Sequence, residues 1–178
     1  NVTGTIAIQK EPRGMADAIL SAKDLIDGEI LIINAEDVLD GKVYEQVLKS
    51  RADVVFAGLK VDKYFPGGYI KKGTEDRVQG IVEKPGEGME PSDQVKLVVD
   101  YFKDGKKLIS YLEKATSKTD DVYEVALNQM ISDGIDIKVT KYTGVWIPIK
   151  YPWQILTLLT YFLSGIEQKI SPKAKVSK

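Results

Sequence analysis

The stretch 29–61, EILIINAEDVLDGKVYEQVLKSRADVVFAGLKV, decides the fold class. EILIIN (29–34) is a short apolar run suited to a buried strand. KVYEQVLKS (42–50) sets Val43, Val47 and Leu48 on one helical face, and DVVFAGLKV (53–61) is dense in β-branched residues. Upstream, TIAIQ (5–9) reads as a strand and PRG (12–14) as a turn. MADAILSAKDLI (15–26) then has helical spacing at Met15, Ile19, Ala22 and Ile26. The order strand, helix, strand, helix, strand predicts an α/β fold: a mixed, mostly parallel sheet flanked by helices.

The pattern changes after residue 60. KVDKYFPGGYIKKG (60–73) is broken by Pro and Gly, RVQGIVEKP (77–85) reads as a strand stopped by Pro85, and GEGMEPSD (86–93) reads as a loop. VKLVVDYF (95–102) predicts a strand and KKLISYLEKA (106–115) a helix. SKTDDVYEVALNQMISDG (117–134) carries a capping signal and predicts a second helix that stops at Gly134. IDIKVTKY (135–142) alternates like a half-exposed strand. Pro152 suits the first turn of a helix running through Phe162, a buried or interface helix within WQILTLLTYFLSGI (153–166). That run is short for a bilayer span and carries Gln, Thr and Tyr. With no signal peptide in view, a cytoplasmic protein is expected. The chain opens at Asn1 and enters GTIAIQ almost at once, as a segment from within a domain does.

The composition narrows the chemistry. A net charge of −1 gives no nucleic-acid footprint. The chain has no cysteine and no histidine, which excludes thiol catalysis, Ser-His-Asp hydrolysis, imidazole proton shuttles and Cys- or His-ligated metals. What remains is carboxylate, amine and hydroxyl chemistry, with a hard cation such as Mg²⁺.

Three places can carry it. Glu36 and Asp37 follow the strand 29–34, and ligands of open α/β sheets bind beyond the carboxyl ends of strands. Mg²⁺ is held by one or two carboxylates plus substrate phosphates, which suits phosphate transfer. Alternatively these acids form a solvated turn, with Asp37 or Asp40 capping the next helix. In IVEKPGEG (81–88), Lys84 can meet a phosphate and Glu83 can accept from sugar hydroxyls, or the pair is an ordinary strand end. In QKEPRGMADAIL (9–20), Gly14 permits close backbone approach ahead of a helix N-terminus and the Gln9 amide can read a base edge, or the segment is a plain connection.

Taken in order, these pieces resemble the sugar-phosphate nucleotidyltransferases, which join a nucleoside triphosphate to a sugar 1-phosphate and release pyrophosphate. The resemblance rests on several elements. Gln9, Pro12, Gly14, Ala16 and Ala18 come first, then Ala35-Glu36 (or Glu36-Asp37) at the family's Gly-Asp. A glycine turn at Gly67 or Gly68, Val82-Glu83-Lys84-Pro85 and Pro91-Ser92 follow, and Trp146 to Leu156 closes the series. It implies a Rossmann-like nucleotidyltransferase domain over 1–165, without the family's first strand and glycine-rich loop. It implies Mg²⁺ on Glu36 or Asp37, Gln9 and Gly14 facing the nucleotide, and Gly68, Glu83 and Lys84 around the sugar phosphate. Glu36, Asp37 and Lys84 would be catalytic. It also implies a left-handed β-helix beginning within 166–178, at Ile170 and Val176, and assembly as a homo-oligomer or with a partner subunit. The sequence departs from the family where an acid is expected near the end, which is Pro148, and at the glycine after it, which is Lys150. A non-catalytic nucleotide- or sugar-binding subunit is the alternative reading.

Overall fold

The structure is a computed structural model that describes residues 3–167, 171 and 173–175. It divides into two compact units, one formed by residues up to Asn34 with Gly41–Gly144, the other by Ala35–Asp40 with the residues from Val145 on.

The elements of the chain are, in order, α1 (Gly14–Ser21), β1 (Ile30–Ile33), β2 (Asp37–Leu39), α2 (Lys42–Lys49), β3 (Val54–Lys60), β4 (Gly68–Lys72), β5 (Val78–Glu83) and β6 (Gln94–Phe102). There follow α3 (Gly105–Leu112), α4 (Val122–Ser132), β7 (Ile137–Tyr142), β8 (Trp146–Pro148) and α5 (Gln154–Ser164). The first unit is a six-stranded sheet ordered β5-β4-β6-β3-β7, with β1 also on β6. β3 holds one edge of β6, so β1 and β4 share the other, β1 ending at Ile33 opposite Val99 and β4 meeting β6 at Tyr69 opposite Val95. β1, β3, β4 and β7 run one way and β5 and β6 the other. The α/β class and the flanking helices are those the sequence predicts. β1 and β3 do run in the same direction, but β6 lies antiparallel between them, so β3 with β7 is the parallel pair among the described strands.

Helices cover both faces, as a sheet buried on two sides requires. Val54 and Phe56 of β3 join Ile19, Leu108, Leu112, Tyr123, Leu127 and Met130 in one core layer with α1, α3 and α4. The opposite face receives α2, whose Val43 and Val47 are fully buried and which packs on β3, β6 and β7.

Four readings change. TIAIQ forms no strand: residues 5–9 pair with no described strand and leave Ile6 89% and Ile8 78% exposed, and an extended segment with nothing to take its backbone groups is not a strand. The helix read over 15–26 ends at Ser21 and tightens into a 3₁₀ turn at Lys23–Leu25. The Pro- and Gly-broken stretch contains β4. Finally, Asp37 lies inside β2, and α2 has Gly41 at its N-cap position, so neither Asp37 nor Asp40 stands there.

In the second unit β2 pairs antiparallel with β8, Asp37 opposite Pro148 and Leu39 opposite Trp146. α5 follows a turn held by Gln154, whose side-chain oxygen accepts from the Lys150 and Tyr151 amides at 2.6 and 2.8 Å. No residue of α5 is buried, and Leu156, Leu159, Phe162 and Leu163 are exposed, so the helix is not a core element of this chain. No described helix is long and apolar enough to cross a membrane. Ile170 and Val176, the expected first β-helix rung, lie outside the described residues.

Candidate functional site

The shared edge of β6 makes a break in the sheet where β1 ends and β4 begins, the kind of switch point at which open α/β sheets bind ligands. The strands bring Gly67, Gly68, Glu83 and Lys84 together beside it. Gly68 opposes Glu83 across the β4–β5 ladder, and a Cβ on Gly68 would lie 3.2 Å from the Glu83 carboxylate, so the glycine gives that carboxylate its room. Lys84 Nζ lies 3.3 Å from Glu83 Oε1; the lysine side chain is 59% exposed and the glutamate 21%. Lys84 holds a left-handed backbone, φ 44°, with its N–H bonded to the Gly67 carbonyl at 3.1 Å. A side-chain-bearing residue in that region is strained, and such strain gathers at ligand sites. An exposed ammonium over a half-buried carboxylate can take a phosphate on one atom and a hydroxyl on the other. Pro91-Ser92 serves this strand pair structurally: Ser92 Oγ donates to the Ile70 carbonyl at 2.6 Å and accepts from the Gln94 amide at 3.0 Å.

Helix α4 holds β5 from its open edge. Asn128 accepts from the Ile81 amide at 2.8 Å and donates to the Ile81 carbonyl at 2.9 Å. One helical turn earlier on the same face stands Glu124, as Glu83 stands two residues beyond Ile81 on the strand. Burial raises the Glu124 carboxyl above its ordinary value, the Lys96 charge opposes that, and the neighbouring Glu83 and Asp100 charges add to it.

Gln9 and Gly14 also come together. Gln9 Nε2 donates to the Gly14 carbonyl at 3.1 Å and to Asp17 at 2.9 Å, so the amide's donor side is spent within the chain. Gly14 has φ 84°, and a Cβ there would fall 1.8 Å from an Asp120 carboxylate oxygen. The close approach that Gly14 allows is therefore made by an acid of the same chain.

Glu36 is exposed in the turn before β2 and its carbonyl accepts from the Ile149 amide at 3.2 Å, while Asp37 is half-buried in β2. Among the described residues no group of three or more acids is placed to hold a metal. The donor set still fits Mg²⁺ in its usual protein mode, one or two hard carboxylates with phosphates and water completing the shell.

The sequence reading missed a buried group under the switch point. Lys96 and Asp100 both lie within β6, their side chains 4% and 0% exposed, with Nζ 2.5 Å from Oδ2. Tyr123 donates to the same oxygen at 2.8 Å, and Lys96 Nζ sits 5.0 Å from the Phe56 ring centre and 5.2 Å from that of Tyr123. Burial pushes the Asp100 carboxyl up against the pull of Lys96, and burial beside Asp100 pushes the Tyr123 hydroxyl well up. The signal was available: two opposite charges four apart in an otherwise apolar strand, VKLVVDYF.

A family model described as nucleotidyl transferase matches residues 1–146, and the chain belongs to that nucleotidyl transferase family. Among curated proteins it is similar to the bifunctional protein GlmU of Methanococcus vannielii, 26% identical over 181 residues, covering 92% of this chain and 40% of that one. GlmU of Methanocaldococcus jannaschii is 28% identical over 167 residues, covering 93% and 39%. A bifunctional sugar-1-phosphate nucleotidylyltransferase/acetyltransferase of Sulfurisphaera tokodaii is 24% identical over 189 residues, covering 97% and 44%. The chain thus spans about two-fifths of the length of these relatives. Among solved structures, a UDP-glucose pyrophosphorylase complexed with UDP-glucose superposes with a TM-score of 0.77 at 17% identity, over 89% of this chain and 65% of that one. The UTP-bound enzyme of Acinetobacter baumannii gives 0.66 at 21%, over 92% and 59%. These likenesses show the fold.

Proposed function

We propose that this chain is part of a sugar-phosphate nucleotidyltransferase, which moves a nucleotidyl group from a nucleoside triphosphate to a sugar 1-phosphate. The observation that carries the reading is the Glu83–Lys84 pair over Gly68 at the switch point, in a chain of this family. Lys84 holds the sugar phosphate and Glu83 accepts from a sugar hydroxyl. Gln9 and Gly14 would face the nucleotide once the Gln9 amide leaves Asp17 and the Asp120 carboxylate swings away from Gly14. In the reaction an oxygen of the sugar phosphate forms a bond to the α-phosphorus, the bond from that phosphorus to the bridging oxygen breaks, and pyrophosphate leaves. No protein nucleophile is required, in keeping with a chain without cysteine or histidine. Mg²⁺, when bound, neutralises phosphate charge; Asp37, with Glu36 beside it, would supply the protein's oxygens. The protein would act in the cytoplasm, as a homo-oligomer or with a partner subunit that covers the apolar helix α5.

One observation favours a second reading, binding without turnover: the residue opposite Asp37 in the β2–β8 ladder is Pro148, which offers no donor atom. Calorimetric titration with a sugar 1-phosphate, run beside a pyrophosphate-release assay with Mg²⁺, tests both. Binding weakened at least tenfold by Lys84→Ala, with pyrophosphate release, supports the enzyme. The same binding without release supports the second reading, and no binding removes both.

A further inference from the structure

The buried charges of β6 lie where the sheet changes partners. Four residues along a regular strand span about 13 Å, too far for Lys96 and Asp100 to touch easily. The irregularity at Phe56/Ala57 resolves this: Phe56 pairs with Asp100 and Ala57 with Leu97, so β6 takes up two extra residues there. The resulting bend brings the ammonium onto the carboxylate. The same carboxylate takes the Tyr123 hydroxyl, and Tyr123 stands in the first turn of α4 immediately before Glu124. Asn128 fixes the next turn of α4 to β5. Glu124 is thereby set against Glu83 by two attachments, one to each strand.

We propose that Lys96, paired with Asp100 and seated between the Phe56 and Tyr123 rings, is a positioning residue for the sugar-phosphate site, fixing Glu124 beside Glu83 as a charged neighbour. This rests on the reading of Glu83 and Lys84 given above. The charged groups facing Glu124 are Glu83 from β5 and Lys96 and Asp100 from β6, with Tyr123 on its own helix. Two carboxylates, Asp100 and Glu124, therefore share one buried cation, and Glu83 adds its own charge to the surroundings of Glu124. An ionised Glu124 leaves the Glu83 oxygens to accept from a sugar. A neutral Glu124 removes that neighbouring charge and leaves Glu83 a weaker acceptor for the sugar hydroxyl. Because the Lys96 charge favours the ionised form, its loss moves that change to higher pH.

The test is the pair variant Lys96→Met/Asp100→Asn, which removes both charges and keeps an acceptor for Tyr123, with Lys96→Arg as the conservative control. Two readouts are taken on the full chain: the carboxyl ¹³C titration of Glu124 without ligand, and the pH profile of glucose 1-phosphate affinity. The expected result is a Glu124 titration moved to higher pH in the pair variant. The acidic limb of the affinity profile should move with it, and both should return in Lys96→Arg. An unmoved Glu124 titration overturns the proposal, as does a moved titration with an unmoved affinity limb. Absence of any sugar-phosphate binding by the unaltered protein would instead remove the site reading. The proposal would then lose its functional half, and the titration would judge the electrostatic half.

Discussion

Asn128 is the side chain whose removal should do most to loosen the site. β5 is the outer strand of its sheet, so the Ile81 N–H and C=O have no strand partner beyond it and depend on this one amide, at 2.8 and 2.9 Å. Ile81 is 4% exposed, which keeps water from replacing Asn128. Each bond contributes about 0.5–1.5 kcal/mol net, and a buried donor left without an acceptor costs about 1–3 kcal/mol. Asn128→Ala should therefore cost about 3 kcal/mol, enough to shift a urea midpoint clearly yet below the roughly 5–15 kcal/mol that holds a domain together. Asn128→Asp keeps the acceptor for the amide but sets a carboxylate oxygen against the Ile81 carbonyl in a site closed to water, so at neutral pH it should cost at least as much as Ala, and less at acid pH, where the protonated carboxyl can donate. Urea denaturation with an unchanged m-value, and hydrogen exchange at the Ile81 amide, read the two effects separately. A loss under about 0.5 kcal/mol, with Ile81 protection intact, would mean that α4 is held to β5 by apolar packing alone.

Other expectations follow from the same geometry. Gly14→Ala should cost about 1–2 kcal/mol from the left-handed backbone, and Asp120→Ala should not rescue it, because the exposed carboxylate can swing away while the φ angle remains; urea melts of the single and double variants decide. Lys84→Gly should gain up to about 1 kcal/mol by relieving the left-handed strain while losing sugar-phosphate affinity, a division that a purely structural lysine would not show. Glu124 has its proton affinity raised by folding above the ordinary 4.5, so its contribution to stability is full below that pH and is lost as pH rises through the raised value. Glu124→Gln should accordingly be more stable than the unaltered protein at pH 7, with the difference vanishing below about pH 4.5 in paired thermal melts.

The periodic elements were legible because their burial follows their spacing: Val43 and Val47 do face the sheet, and Val54 and Phe56 do face the α1, α3 and α4 layer. The position of β6 was not, since nothing local in VKLVVDYF says that it pairs with β1 and β3 together rather than with its neighbours in sequence. β4 was hidden by the two glycines at its start, one of which is there to make room for Glu83. TIAIQ failed for the opposite reason: local alternation promised a strand, and no described strand pairs with it. At the site, contiguous pairs such as Glu83-Lys84 could be read from the chain, whereas Lys96, Asp100, Tyr123 and Glu124 converge only after β6 bends and α4 docks.

The insertion of β6 also sets a timetable. Ile30 meets Phe102, a partner that leaves the ribosome seventy-two residues later. At about 5–20 residues per second, β1 waits roughly 4–14 s and β3, whose Val54 also meets Phe102, roughly 2–10 s with their facing edges open. They run in the same direction and are both apolar, so pairing with each other is the natural error during that interval, and β6 would then have to displace one of them to reach its place. A nascent chain paused just before residue 94 should accumulate this misregistered intermediate, making the speed of translation through the 86–93 loop a determinant of yield.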